Sequence, residues 1–321
     1  MSRDAQIAIA GGLLSAFVFM ALPNGSALAL IFIYLIPFPI FAIGLGGSRR
    51  AATIAAGTGL IATSVFGDVL LAGIYGFVFA IPALLVTRIV MSQSASGTDE
   101  QADAKWASIG PALVALALLA AGLILMVDVG VGNLGLKQML SAQLGDAFKV
   151  LVPLADQARH NRMIEMILPI FPGAVGSSWV LMTVFNAVIA QGVLVRLGRN
   201  LRPSPAYAEL ELPQWASWPL ILSAGAALTG PLMGMDDLGY LGRNTAMVLA
   251  LPYFFLGLAV VHTLARRVAA TMIVLIVVYT VVLLSGWAAL VIAGVGVTEH
   301  WIGLRARSEK SNTGPGSSIE D

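Results

Sequence analysis

Apolar residues in this chain come in runs long enough to cross a bilayer, and polar residues are confined to the gaps between them. A transmembrane helix needs about 20 consecutive, mostly apolar residues. Runs of that kind lie at 5–22, 26–46, 51–66, 69–91, 107–127, 173–195, 215–233 and 244–264. A further apolar stretch, Val268 to Leu304, is too long for one upright helix. Its interruption at Ser285-Gly286-Trp287 predicts a tight hairpin, 268–285 and 287–303, with a re-entrant segment as the alternative. The expected fold is all-α: a polytopic transmembrane helical bundle of about 10 spans, with about 8–9 as the alternative count.

The long gap at 129–172 has its own pattern. Leu136, Leu140, Leu144 and Phe148 recur every four residues, while Lys137, Gln138, Gln143, Asp146 and Lys149 fill the opposite side. That spacing predicts an external amphipathic helix over 136–151, ended by Pro153. Two readings stand for it: a helix lying on the membrane surface, or a lid over a substrate cavity. A second polar stretch follows from Asp156 to Glu165 and ends at Pro169 and Pro172. The chain thus divides into a five-span N-terminal membrane half (1–128), the external amphipathic segment (129–172), a C-terminal membrane half ending in the hairpin (173–307) and a disordered tail (308–321). Residues 92–105 read as a polar linker.

Charge orients these elements. Thirteen of the 18 Lys and Arg fall in alternate gaps: Arg3, Arg49, Arg50, Arg88, Lys105, Arg196, Arg199, Arg202, Arg266, Arg267, Arg305, Arg307 and Lys310. Lys137, Lys149, Arg159, Arg162 and Arg243 fall on the other side. Cytoplasmic loops retain Lys and Arg, so both termini are expected in the cytoplasm of a bacterial inner membrane. Arg3, the run from Ala5 to Leu22 and Ala27-Leu28-Ala29 loosely fit a cleaved signal peptide. Cleavage there would cut into the next apolar run, so the first run reads as a retained helix.

Composition narrows the function classes. The chain is 58% apolar and 11% charged, whereas soluble domains carry about a quarter charged residues. A net charge of +1 gives no footprint for nucleic acid. With no cysteine, disulfides, thiolate metal sites and Cys nucleophiles are excluded. There is no Walker A, H-E-x-x-H or G-x-S-x-G sequence, and no dinucleotide fingerprint in a strand-turn-helix setting. The expectation is therefore no enzyme, no metal and no cofactor, and any transport would need a separate ATPase module.

The candidate site residues are polar or helix-breaking groups inside apolar runs. Pro37 and Pro39 remove two backbone donors within the second span, so neighbouring carbonyls must be satisfied by other side chains or face a cavity. Asn186 and Gln191 lie in the sixth span and Asn244 opens the eighth; their amides need partners in lipid. Asn186 and Asn244, with Gln191, are tentative solute contacts, and interhelical hydrogen bonding is the other reading. Asp236, Asp237 and Arg243 read as a solvated loop, and His262 as interfacial. Ala8, Gly12 and Ala16, like Ala55 and Gly59, have the four-residue spacing that lets helix backbones approach closely, within the chain or on a partner subunit. Gly294 and Gly296 read as ordinary residues of an apolar helix.

Several short motifs carry a resemblance. These are Pro37-Phe38-Pro39 with Gly44-Leu45-Gly46, Asn186 before Arg196, Asn244 before Pro252-Tyr253-Phe254-Phe255-Leu256-Gly257-Leu258, and the ending Gly296-Val-Thr-Glu299-His-Trp301-Ile-Gly-Leu-Arg305. Together they resemble the YybS-like family of predicted bacterial integral membrane proteins. The family's C-terminal pattern has Asp where this chain has Glu299 and Gly303. The first five helices are also similar to the substrate-binding subunits of energy-coupling-factor vitamin transporters and to the cell-shape membrane protein of the rod complex. That wider similarity implies a substrate-binding or assembly role. In the vitamin-transporter subunits, small residues on the first helix contact the energising partner, and Ala8, Gly12 and Ala16 match that spacing. Two functions are therefore expected: a solute-binding or transport protein, or a non-transporting scaffold that recruits partner proteins.

Overall fold

The computed structural model describes residues 2–21, 32–94, 105–132, 135–153 and 156–305. The regular structure of the described residues is helical apart from one short antiparallel ladder, β1 (Gln93–Ser94) with β2 (Lys105–Trp106). Among these residues, five helical segments are long and apolar enough to cross a membrane: Arg3–Met20, Val69–Val90, Gly110–Val131, Gln157–Arg196 and Asp236–Ala265. The count is six if a bent helix pair near the C-terminus forms one span. The expected tail and most of the polar linker lie outside the described residues, as do Arg307, Lys310 and the start of the second apolar run.

In chain order the helices are α1 (Arg3–Met20), α2 (Phe38–Gly46), α3 (Arg49–Phe66) and α4 (Val69–Val90). They continue with α5 (Gly110–Val131), α6 (Leu136–Leu151), α7 (Gln157–Ile167) and α8 (Phe171–Arg196). The last are α9 (Ser217–Leu232), α10 (Asp236–Leu249), α11 (Leu251–Ala265), α12 (Thr271–Leu284) and α13 (Gly286–Ile302). Besides the bent pair, three predicted spans form helices outside the membrane-crossing set. α2, in the 26–46 run, has 9 residues, α3 is rich in Ala, Gly and Thr and begins with two arginines, and α9 has only 16 residues. The amphipathic helix forms with the predicted bounds. α12 and α13 break at Ser285 and bend by 119°.

One expectation is corrected at α10. Asp236, Asp237 and Arg243 are not a loop but belong to a helix, and Asn244 sits in its third turn rather than opening a span. Asp236 and Asp237 occupy the first turn, where carboxylates favour the helix dipole, so the helix extends further than an apolar run alone indicates.

The chain divides into two compact units, Met1–Leu116 with Ser178–Pro205, and Ala117–Ser177 with Ala206–Asp321. In the first, α1 and α3 run parallel. Ala8 packs on Ala51 and Ala55, and a Cβ on Gly12 would collide with the Ala55 carbonyl and Thr58. Ala8, Gly12, Ala16, Ala55 and Gly59 are all buried. Gly59 is covered by the Tyr75 hydroxyl of α4. In the second unit, glycines again set the crossings. A Cβ on Gly230 of α9 would strike Gly239 of α10, and one on Gly242 would strike Ala226 and Ala227. Gly296 of α13 is not an ordinary helical position: it lies against the Tyr253 carbonyl, as Gly257 lies against Ile292. Only a residue without Cβ permits such backbone approach.

Candidate functional site

The polar groups inside the apolar helices are mostly spent on backbone. In the first unit, Pro37 and Pro39 remove donors from the ladder entering α2. Phe38 N–H donates to Leu35 at 3.1 Å, one residue short of the helical register. The carbonyls of Tyr34 and Ile36 take side-chain donors instead. Asn186 Nδ2 donates to Tyr34 O at 2.5 Å and to Met182 O at 2.8 Å. Ser15 Oγ donates to Ile36 O at 2.7 Å and accepts from the Tyr75 hydroxyl at 2.9 Å. Pro82 likewise lacks the N–H that would reach Val78 O, and the Trp179 indole donates there at 2.8 Å. Asn186 is buried, and its Oδ1 has no hydrogen-bond partner among the described residues.

Gln191 is placed differently. Its Nε2 donates to the Arg202 carbonyl at 2.8 Å. The Arg202 guanidinium in turn donates to Val90 O at 2.7 Å and lies over the Trp106 ring at 5.9 Å. Burial lowers the Arg202 pKa from its ordinary value. This group closes the end of α4 rather than lining an opening.

In the second unit the join between α7 and α8 is held by α10. Pro169 lies within a 3-10 turn, Leu168–Ile170, and Pro172 follows it. Asn244 Oδ1 accepts the Gly173 N–H at 2.8 Å, and its Nδ2 donates to Pro169 O at 3.1 Å and Tyr240 O at 2.8 Å. The Tyr240 hydroxyl donates to Leu168 O at 3.0 Å, the carbonyl that Pro172 cannot serve. Sequence reasoning missed Ser15, Tyr75, Trp179 and Tyr240. For Trp179 and Tyr240 the usable signal was a proline four residues beyond the orphaned carbonyl, Pro82 for Val78 and Pro172 for Leu168; Ser15 and Tyr75 had no such signal.

α7 and α8 together form a 40-residue helical run. At 1.5 Å per residue that is about 60 Å, twice the hydrocarbon thickness of about 30 Å. Its charged residues, Arg159, Arg162, Glu165 and Arg196, lie only near its ends. α7 therefore stands in water, and the first turns of α10, tied to the α7–α8 join, stand there too.

At this water-facing end lies a cavity of about 650 Å³ lined by Asp128, Lys137, Gln138, Ser141, Asp236 and Asp237, with Leu168 beside them. α6 supplies one side of it. Asp128, at the end of α5, accepts the Leu136 N–H at 3.0 Å and so fixes where α6 starts. The apolar side of α6 turns toward α7, with Gly145 near Ile164. His160 of α7 is buried and its Nε2 lies 3.0 Å from Val152 O, closing the turn between the two helices. Among the described residues no group of three or more His, Asp or Glu is placed to hold a metal ion. Of the sequence-named residues, none of Asn186, Gln191, Asn244, Pro37 or Pro39 lines this cavity.

Comparison with known proteins gives a family and no closer guide. No curated protein matches the chain. No solved structure matches it. One family model covers residues 13–298, nearly all of the helical chain, and the protein belongs to that family, described as Predicted membrane protein (DUF2232).

Proposed function

We propose that this multi-pass protein binds a small solute in the cavity beside α6, as part of a transport function. The supporting observation is that α6 walls the cavity while its first turn is held by Asp128, itself a lining residue. That favours the lid reading of the amphipathic helix over a purely surface-lying one. The volume falls in the range of about 300–1,000 Å³ usual for small-molecule sites. Three carboxylates against Lys137 suit a solute bearing a positive charge or amine. In this reading both termini are cytoplasmic, the cavity opens to the outside of the inner membrane, and the protein performs no catalysis. Because the chain has no ATPase motif, uptake would draw on a separate energising subunit.

The scaffold alternative needs free interaction faces. Of the stripe that would serve it, Ala8 and Gly12 are covered by α3 within the first unit and Ala16 is buried, which weighs against that reading.

The lack of native cysteine makes the test direct. A Ser141→Cys variant in whole cells should react with a membrane-impermeant maleimide, and amine-bearing metabolite fractions should slow that reaction. Protection should disappear in Asp236→Asn/Asp237→Asn. A cysteine that labels only after the membrane is permeabilised would overturn the orientation. Labelling that no fraction slows would overturn the binding site.

A further inference from the structure

Every arginine of the first unit's described residues gathers at one end of that unit. The parallel α1–α3 pair places Arg3 beside Arg49 and Arg50. Gly44, four residues before Ser48, which caps α3, lies against Thr87 and Ala52, which brings Arg88 to the same end. Gly46 lies against Leu194 and the Arg199 carbonyl, which adds Arg196 and Arg199. These six arginines are all exposed, unlike Arg202, which is buried against Val90 and Trp106. The described residues of the unit hold two carboxylates. Asp4 is at the arginine end, and Asp68 caps the start of α4, the end away from Arg88.

The turn after α8 adds a second feature. It reads Arg196-Leu197-Gly198-Arg199-Asn200-Leu201-Arg202, and Gly198 makes the reversal at φ 62°. Leu197 is 64% exposed and Leu201 50% exposed, so two large apolar side chains stand free among the cations. A soluble anion or an acidic protein would satisfy the arginines and leave the leucines in water. A phospholipid satisfies both, with its phosphate on guanidinium groups and its acyl region against leucine.

We infer that this arginine rim, with Leu197 and Leu201, is a binding surface for anionic phospholipid headgroups in the adjoining leaflet. It rests on the protein being embedded in a bilayer and is independent of the cavity in the second unit. Guanidinium groups pair bidentately with phosphate, and each arginine near an anionic surface strengthens association about fivefold.

The test is native mass spectrometry of the full chain released from nanodiscs holding equal phosphatidylglycerol and phosphatidylcholine. The wild type should retain phosphatidylglycerol preferentially. Arg49→Gln/Arg50→Gln/Arg196→Gln/Arg199→Gln should lose that preference by at least about tenfold, while Arg159→Gln/Arg162→Gln, in α7 of the second unit, should keep it. Leu197→Ser/Leu201→Ser, which leaves every charge in place, should weaken retention as well and serves where the arginine variant fails to fold. Equal retention of the two lipids by the wild type would overturn the proposal. So would displacement of the lipid by inorganic phosphate at matched concentration, which would mark a site for a soluble anion.

Discussion

Asn244 and Gly173 share a hydrogen bond that substitutes for a helical one. The Gly173 N–H would ordinarily reach the Pro169 carbonyl four residues back. Instead it donates to Asn244 Oδ1 at 2.8 Å, and Asn244 Nδ2 donates to Pro169 O at 3.1 Å. One carboxamide thus bridges the gap at the joint between water-facing α7 and membrane-crossing α8. Gly173 leaves room for it, since a Cβ there would meet Asn244 Oδ1 at 3.1 Å.

Replacing Asn244 by Leu leaves that N–H and carbonyl unpaired. A buried unsatisfied group costs about 1–3 kcal/mol, so thermal unfolding in detergent should move to clearly lower temperature. Asn244→Asp should recover only part, because a carboxylate accepts from Gly173 but cannot donate to Pro169. An unchanged midpoint for Asn244→Leu would show that the bridge carries no stability.

Gly59 and Tyr75 form a second dependent pair. Gly59→Ala drives a methyl into the Tyr75 ring and hydroxyl, and overpacking of this kind costs about 1–3 kcal/mol. Tyr75→Phe alone removes one hydrogen bond to Ser15, worth about 1 kcal/mol. The double variant should be less destabilised than the sum of the two. Strict additivity in the cycle would contradict the contact.

Glu299 and Arg305 close the C-terminal end of α13. Arg305 Nε donates to Glu299 Oε1 at 2.7 Å, its backbone N–H to Oε2 at 3.1 Å, and Nη2 to the Leu210 carbonyl at 2.7 Å. The ion pair is largely buried, with side chains 15% and 6% exposed for Arg305 and Glu299. Glu299→Leu strands a buried guanidinium, at a cost of up to about 3–5 kcal/mol. Limited proteolysis near 207–212 should accelerate, because Arg305 also holds the Leu210 carbonyl, and Glu299→Gln, which keeps an acceptor for Arg305, should accelerate it less than Glu299→Leu. Equal cleavage rates in Glu299→Gln and Glu299→Leu would assign the effect to something other than the lost acceptor.

Asp128 sets the order of α6. Asp128→Ala removes the acceptor for Leu136 N–H. A hydrogen bond to a charged group contributes about 1.5–3 kcal/mol, so amide exchange at 136–140 should quicken by about tenfold or more. Exchange in α10 should stay as it was. If α6 remained equally protected, its start would be held by something other than this carboxylate.

The apolar runs were enough to determine an all-helical membrane protein, because burying backbone in lipid leaves helix as the economical solution for a long apolar segment. The four-residue period from Leu136 to Phe148 determined α6 to its bounds, since amphipathicity is a local property of sequence. Pro37 and Pro39 determined that carbonyls would be orphaned near α2, but not which groups would serve them. That Ser15 and Asn186 do so depends on helices distant in sequence coming together, which only packing decides. The sequence singled out amides as solute contacts because polar groups in lipid are costly. The tertiary structure gives Asn244 and the Nδ2 of Asn186 to backbone and brings Asp128, Asp236 and Asp237 to a cavity instead. Those carboxylates were unremarked as a group because they are separated by more than a hundred residues and meet only where α5, α6 and α10 share one water-facing end.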